Sequence, residues 1–160
     1  MDIQIIGVKF QTKNQFGDFL SMIKDNIEQN ITSTLYIYND DTDRRDCNTF
    51  HPSSGNACVR CYNIHNPKYK SKPYAIGMCT GTYTDGGFKT LSEDHRISIN
   101  SDIERIKEHI RRFGIDCIYY SIDDDTGVFS QGNFTVSKKV RDYITKSIQE
   151  LSCYKPSLIY

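Results

Sequence analysis

Four stretches of the chain combine residue types that can hold a phosphorylated ligand without a lysine. They are Asn39-Asp40, Gly55-Asn56-Ala57 followed by Arg60, Gly77-Met78-Cys79-Thr80-Gly81, and Thr126-Gly127-Val128-Phe129-Ser130-Gln131-Gly132. Glycine lets the backbone come close to a ligand and take positive φ, so that successive N–H groups converge on an anion. Asn and Asp side chains can pair with ribose hydroxyls or an adenine edge, and a Phe beside such a loop can stack on a flat ring. The same residue types also make ordinary turns. Neither the P-loop lysine pattern nor G-x-G-x-x-G occurs, so the two strongest phosphate fingerprints are absent from the sequence.

A second group gathers Cys47, His51, Cys58, Cys61, His65 and Cys79. Cys58 and Cys61 form a C-x-x-C pair, which can present two thiolates to one metal, with His51 or Cys47 to complete a tetrahedron. A second pair at matching spacing is lacking, so no structural zinc and no other cofactor are expected. Acidic residues form a third group: Asp40, Asp41 and Asp43, then Asp123, Asp124 and Asp125. Converging at one sheet edge, these carboxylates would suit Mg²⁺ or water activation; the simpler reading is solvated loop charge. His95 and His109 read as surface residues. No nucleophile and base stand at a recognisable catalytic spacing.

The elements that must position these groups follow from hydrophobic period. Strands are expected over Ile3 to Phe10, Leu35 to Tyr38, Tyr74 to Cys79 and Ile115 to Ser121, from their apolar and β-branched runs. Phe16, Phe19, Leu20, Ile23 and Ile27 fall at helical spacing. Ser101-Asp102-Ile103-Glu104 has the form of a capping box, placing a helix start at Ser101 with Ile103, Ile106, Ile110 and Phe113 on one face and Gly114 as the stop. Val140, Ile144, Ile148 and Leu151 mark the last helix, with Ser137 as its cap. Asn39 to Lys72 shows no sustained period and reads as a long loop, while Gly81 to Gly87 reads as a turn. Strands alternating with helices imply an α/β fold: one domain over residues 1–160, a mixed, mostly parallel sheet, and helices on both faces. Ligands of such sheets bind outside the carboxyl ends of the strands. That rule points to the loops after Tyr38, Thr80 and Ile122, and adds Ser121 to the candidate set.

The order of these motifs resembles the macro domains, and still more a group of small viral and phage proteins with macro-like motifs. A strand ends in Asn39-Asp40; Gly55, Asn56, Ala57 and Arg60 follow; a strand carries Pro73, Ala75, Ile76, Gly77 and Thr80; and Thr126-Gly127-Val128-Phe129 is similar to the Thr-Gly-Ile-Phe of the macro diphosphate loop. The resemblance spans about Leu35 to Leu151. It departs at Ser53-Ser54-Gly55, where the family carries a run of glycines, and at Ser130, where it carries Gly. It implies a three-layer macro-like domain that binds ADP-ribose or a related nucleotide diphosphate, and it admits hydrolysis of an ADP-ribose linkage. Asn56 would hold the distal ribose and Gly127 to Phe129 would wrap the diphosphate. The alternative is a non-enzymatic viral interaction protein that docks through its cysteine-rich, zinc-stabilised loop.

The chain's 160 residues hold 20 Lys plus Arg against 20 Asp plus Glu. Balanced charge argues against a nucleic-acid partner bound through many phosphates. The opening Met1-Asp2-Ile3-Gln4-Ile5-Ile6 lacks the charged and apolar regions of a secretory leader, and no apolar run approaches membrane-spanning length. A small-molecule nucleotide partner and an intracellular, cytoplasmic setting are expected, in the host cytoplasm if the chain is viral, with the cysteines as thiols.

Overall fold

The computed structural model describes residues 2–9, 17–43, 55–82, 84–132 and 134–156, and of residues 17, 18 and 55–58 the backbone only. In chain order the elements are β1 (Gln4–Lys9), α1 (Gly17–Glu28), β2 (Thr34–Asp41), 3-10 segments at Gly55–Tyr62 and Pro67–Tyr69, β3 (Ala75–Thr82), β4 (Gly86–Gly87), α2 (Glu93–Phe113), β5 (Cys117–Ile122), α3 (Lys138–Gln149) and a closing 3-10 turn at Glu150–Cys153. The five strands form one mixed sheet in the order β1-β5-β2-β3-β4. The pairs β1–β5, β5–β2 and β2–β3 are parallel; β3–β4 is antiparallel. The expected α/β class and the four expected strands are present. Phe10, the predicted end of the first strand, lies outside the described residues.

β2 lies at the centre of the sheet and all eight of its residues are buried. That burial explains its unbroken apolar run, because a strand covered on both sides needs no polar alternation. Its alternate residues feed two separate cores. Leu35 and Ile37 join Ile118, Tyr120, Ile122, Phe129 and the apolar stripes of α2 and α3. Tyr36 and Tyr38 join Phe19, Leu20 and Ile23 of α1 with Val59, Tyr69 and Tyr74. The first core is mostly branched aliphatic and the second is rich in tyrosine.

Helix α2 begins earlier than the Ser101 capping box predicts. Ser92 is the cap: its side chain accepts from the His95 N–H at 3.2 Å, and Glu93 and Asp94 complement the dipole in the first turn. Ser101 is exposed and mid-helix, and Glu104 pairs with Lys107 instead of reaching back. The other end matches expectation. Gly114 adopts φ 65°, and its N–H closes on the Ile110 carbonyl. Ser137 caps α3 through the Val140 N–H at 3.2 Å.

The described part of the long Asn39 to Lys72 loop is built of a strand end and short 3-10 segments. Its first three residues complete β2, and two 3-10 segments follow within its described part. Similarly, Gly81 to Gly87 contributes the end of β3 and the hairpin partner β4. A Cβ on Gly81 would sit 2.2 Å from the Gly86 carbonyl oxygen, so that hairpin closes only over glycine. Among the described residues, no helix is long and apolar enough to cross a membrane.

Candidate functional site

Successive residues of a strand point to opposite faces, so the pair Asn39-Asp40 divides at the carboxyl end of β2. Asp40 turns toward the 3-10 segment Gly55–Tyr62. Its carboxylate receives the Arg60 guanidinium through Nε, at 3.0 Å to Oδ2, and through Nη2 to Oδ1. Asp41 adds a second carboxylate 3.7 Å from Nη2. Arg60 is buried, which disfavours its charge, but the hydrogen bond and charge of Asp40 prevail and raise its pKa. Gly77 makes room for this pair: a Cβ there would lie 2.9 Å from the Asp40 Cβ. Burial raises the pKa of the neighbouring Tyr38 hydroxyl, and the charge of Asp40 raises it further.

Asn39 takes part in a different structure. Its Nδ2 donates to the Gln131 carbonyl at 3.1 Å, and its Oδ1 accepts from the Ser130 hydroxyl at 2.8 Å. The Ser130 oxygen is also 2.6 Å from that of Ser121, and the Ser130 N–H donates to the Ser121 carbonyl. The segment after β5 therefore turns back and wedges between the carboxyl ends of β5 and β2. Phe129 pairs antiparallel with Ile122 and is fully buried in the aliphatic core.

This re-entrant segment is tied down along its whole length. The Phe129 N–H donates to Thr145 Oγ1 at 2.9 Å, its carbonyl accepts from Arg141 Nε at 2.8 Å, and the Gln131 N–H reaches Asp123 at 2.9 Å. Gln131 Oε1 accepts the Val136 N–H. The loop tip is held from below, where the Tyr120 hydroxyl donates to the Gly127 carbonyl at 2.9 Å. Tyr120 has space because β1 carries Gly7, whose added Cβ would stand 3.1 Å from the Tyr120 ring. Gly127 sits at φ 77°, in the left-handed region, with open space around it.

The predicted residues thus fall into separate groups. Asn39, Ser121, Thr126, Gly127, Val128 and Phe129 belong to the wedge and its tip, with Thr126 exposed and Gly127 and Val128 half-buried. Asp40, Arg60 and Gly77 satisfy one another in a buried knot. Thr80 is fully buried at the end of β3, and its hydroxyl has no hydrogen-bond partner among the described residues. Gly81 serves the β3–β4 hairpin. Gly55 and Asn56 open the 3-10 segment that Arg60 anchors; the side chains of Asn56 and Cys58, and Cys47 and His51 altogether, lie outside the described part. Among the described residues no three His, Cys, Asp or Glu gather as metal ligands. Phe129 is core, so its ring is not available to stack on a ligand.

No family model, no curated protein and no solved structure matches the chain.

Sequence reading named Ser130, Gln131 and Asp123 as loop groups without their part in the wedge, and missed Arg141 and Thr145, which tie it down. It also missed Asp102 and His109. Asp102 is buried on α2 and accepts the Cys79 N–H at 3.0 Å. His109, read as a surface residue, is 6% exposed. The signal for both was present: positions 99, 102, 103, 106, 109, 110 and 113 share one helical face.

Proposed function

We propose that the carboxyl edge of the sheet binds ADP-ribose or a related nucleotide diphosphate, and that the two cores build a three-layer macro-like domain with helices on both faces. The observation that carries the reading is the wedge. Its base is locked between β5 and β2, and it presents Thr126, Gly127 and Val128 at a fixed tip with Gly127 already left-handed. A loop held this way has lost its conformational freedom before a ligand arrives, which lowers the cost of binding. The Arg60–Asp40 pair does the same for the segment that carries Asn56. In this reading backbone N–H groups at the tip meet the diphosphate and Asn56 meets the distal ribose. The wedge amides at Phe129, Ser130 and Gln131 are committed inside the protein and the Thr126 N–H to Asp124 Oδ1, so the ligand contact is confined to the Gly127 and Val128 N–H groups of the tip.

Calorimetry with ADP-ribose, ADP and AMP tests it. ADP-ribose should bind more tightly than AMP, and Asn56→Ala should weaken it by about 1–3 kcal/mol through the loss of a ribose hydrogen bond. Wild-type protein that takes up no ADP-ribose-containing ligand at millimolar concentration would overturn the proposal.

A further inference from the structure

Among the described residues no strand pairs with β3 along Ala75 to Cys79 on the side away from β2, and a polar stripe of α2 covers that edge. Asp102, Arg105 and His109 follow one another at helical spacing along that stripe. Asp102 accepts the outward N–H of Cys79. Backbone groups two residues apart on a strand face the same way, so Gly77 presents its N–H to the same side. Between strand and helix lies a small cavity of ≈ 10 Å³, lined by Asn63, His65, Gly77, Arg105 and His109.

His109 closes this cavity. Its Nδ1 lies 3.0 Å from the Arg105 carbonyl, which can only accept, so Nδ1 carries the proton of the neutral ring. Nε2 is then a bare acceptor, buried and without a partner among the described residues. The charged groups around it are of both signs, two arginines and two carboxylates. From α2 come Arg105 and Arg112, with Glu108 as the acidic neighbour. From the turn after the 3-10 segment comes His65, whose Nε2 is 3.5 Å from Arg105 Nη2. Asp102 is 3.8 Å from Arg105 Nη1, so its charge is engaged there. β3 contributes backbone and apolar groups to the cavity.

We propose that His109 is an acid-sensitive latch: a proton on Nε2 releases the α2 stripe from β3 and uncovers the strand edge. A second proton would place a cation beside an arginine, with no acceptor among the described residues aimed at Nε2. In agreement, burial holds the imidazole below its ordinary 6.5, with Arg105 and Arg112 adding to the effect against the opposing Arg105 carbonyl bond. The neutral ring is the form that fits. The latch is therefore closed above that range and weakens as pH falls through 6.5 toward the folded value. An uncovered edge offers unpaired N–H and C=O groups on which another strand can add.

Residue-resolved amide exchange, corrected for the intrinsic pH dependence, tests the latch. From about pH 8 to about pH 5, protection of the Gly77 and Cys79 amides should fall relative to amides of α3, by a factor of ten for each unit by which the fold holds the imidazole below 6.5. In His109→Gln the two amides should show no such fall. His109→Phe, also without a titrating group, serves if the glutamine variant does not fold. An equal acid-dependent loss in the variant, a flat wild-type profile, or a His109 imidazole titrating at or above 6.5 by NMR would overturn the proposal.

Discussion

At the scale of single residues, the pair Asp40 and Arg60 shows how a sequence suited to a ligand can be spent inside the fold. Asn-Asp at a strand end and a following arginine look like a polar binding set. The structure gives the carboxylate to the guanidinium, and places glycine at 77 so that both fit. A buried pair of this kind is weak evidence for net stability, because desolvation offsets the attraction, but breaking it leaves one charge stranded. Arg60→Leu should therefore destabilise the protein by about 3–5 kcal/mol in urea denaturation. Adding Asp40→Asn should recover part of that loss, because a neutral amide costs less to bury than a carboxylate. A single-variant loss under about 1 kcal/mol would show that water reaches Asp40 and that the pair behaves as a surface bridge. Ser130 makes the complementary point. Where the macro pattern has glycine, this chain has a hydroxyl that holds Ser121 and Asn39 together. Ser130→Ala leaves the Asn39 oxygen and the Ser121 hydroxyl short of a partner, and should cost about 1–3 kcal/mol.

At the scale of elements, the loop from Asp123 to Gln131 acts as a short extra strand whose tip is glycine by necessity. Any β-branched residue at 127 must hold φ near 77°, which costs roughly 1–2 kcal/mol. Gly127→Val should lower the melting temperature by about 2–8 °C in a domain this size, whereas Gly127→Asn should lower it less, since Asn visits the left-handed region. Equal melting temperatures for Val and Asn would mean that the tip relaxes to negative φ. Strands and helix faces were legible beforehand because their signal is local: the runs at β2 and β5, the 3.6 period in α3, and Gly114 as a stop. The wedge was not, because Ser121, Ser130 and Asn39 are brought together only by the sheet order, and Thr126-Gly127 reads the same in a plain turn. The start of α2 was hidden by two competing cap signals nine residues apart, Ser92 and Ser101, of which the upstream one caps. His109 was misplaced because a helix that also covers a strand edge buries a wider stripe than the four isoleucine and phenylalanine positions suggest.

At the scale of the whole molecule, the two cores differ in chemistry, and this sets the pH range over which the fold holds. The core against α2 and α3 is aliphatic, and its titratable weak point is His109 at the margin. Burial keeps that imidazole neutral in the fold, so the unfolded chain binds more protons below 6.5 and stability falls as pH falls. The core against α1 contains Tyr36, Tyr38 and Tyr74, with Tyr119 packed against it. Burial raises all four phenols above the ordinary 10.0. Burial also raises the Cys61 and Cys117 thiols above 9.0. These groups stay neutral in the fold while the unfolded chain ionises, so on the alkaline side the unfolded state binds fewer protons and stability falls as pH rises past 9.0 and then past 10.0. Stability should therefore be greatest between about pH 7 and about pH 9, with the losses on the two sides arising in different places. Urea midpoints measured across pH should fall at both ends. His109→Gln should flatten the acid side of the wild-type profile and leave the alkaline side unchanged. Tyr36→Phe should make the alkaline fall shallower by its own share and leave the acid side unchanged, at the cost of the bond that the Tyr36 hydroxyl receives from Asn26 Nδ2 at 2.9 Å. Exchange and tyrosinate absorbance should show α1 and the tyrosine core opening before α3 in alkali. Simultaneous loss of both cores at the alkaline end would mean that β2, whose alternate residues serve each core, couples them too tightly for either to open alone.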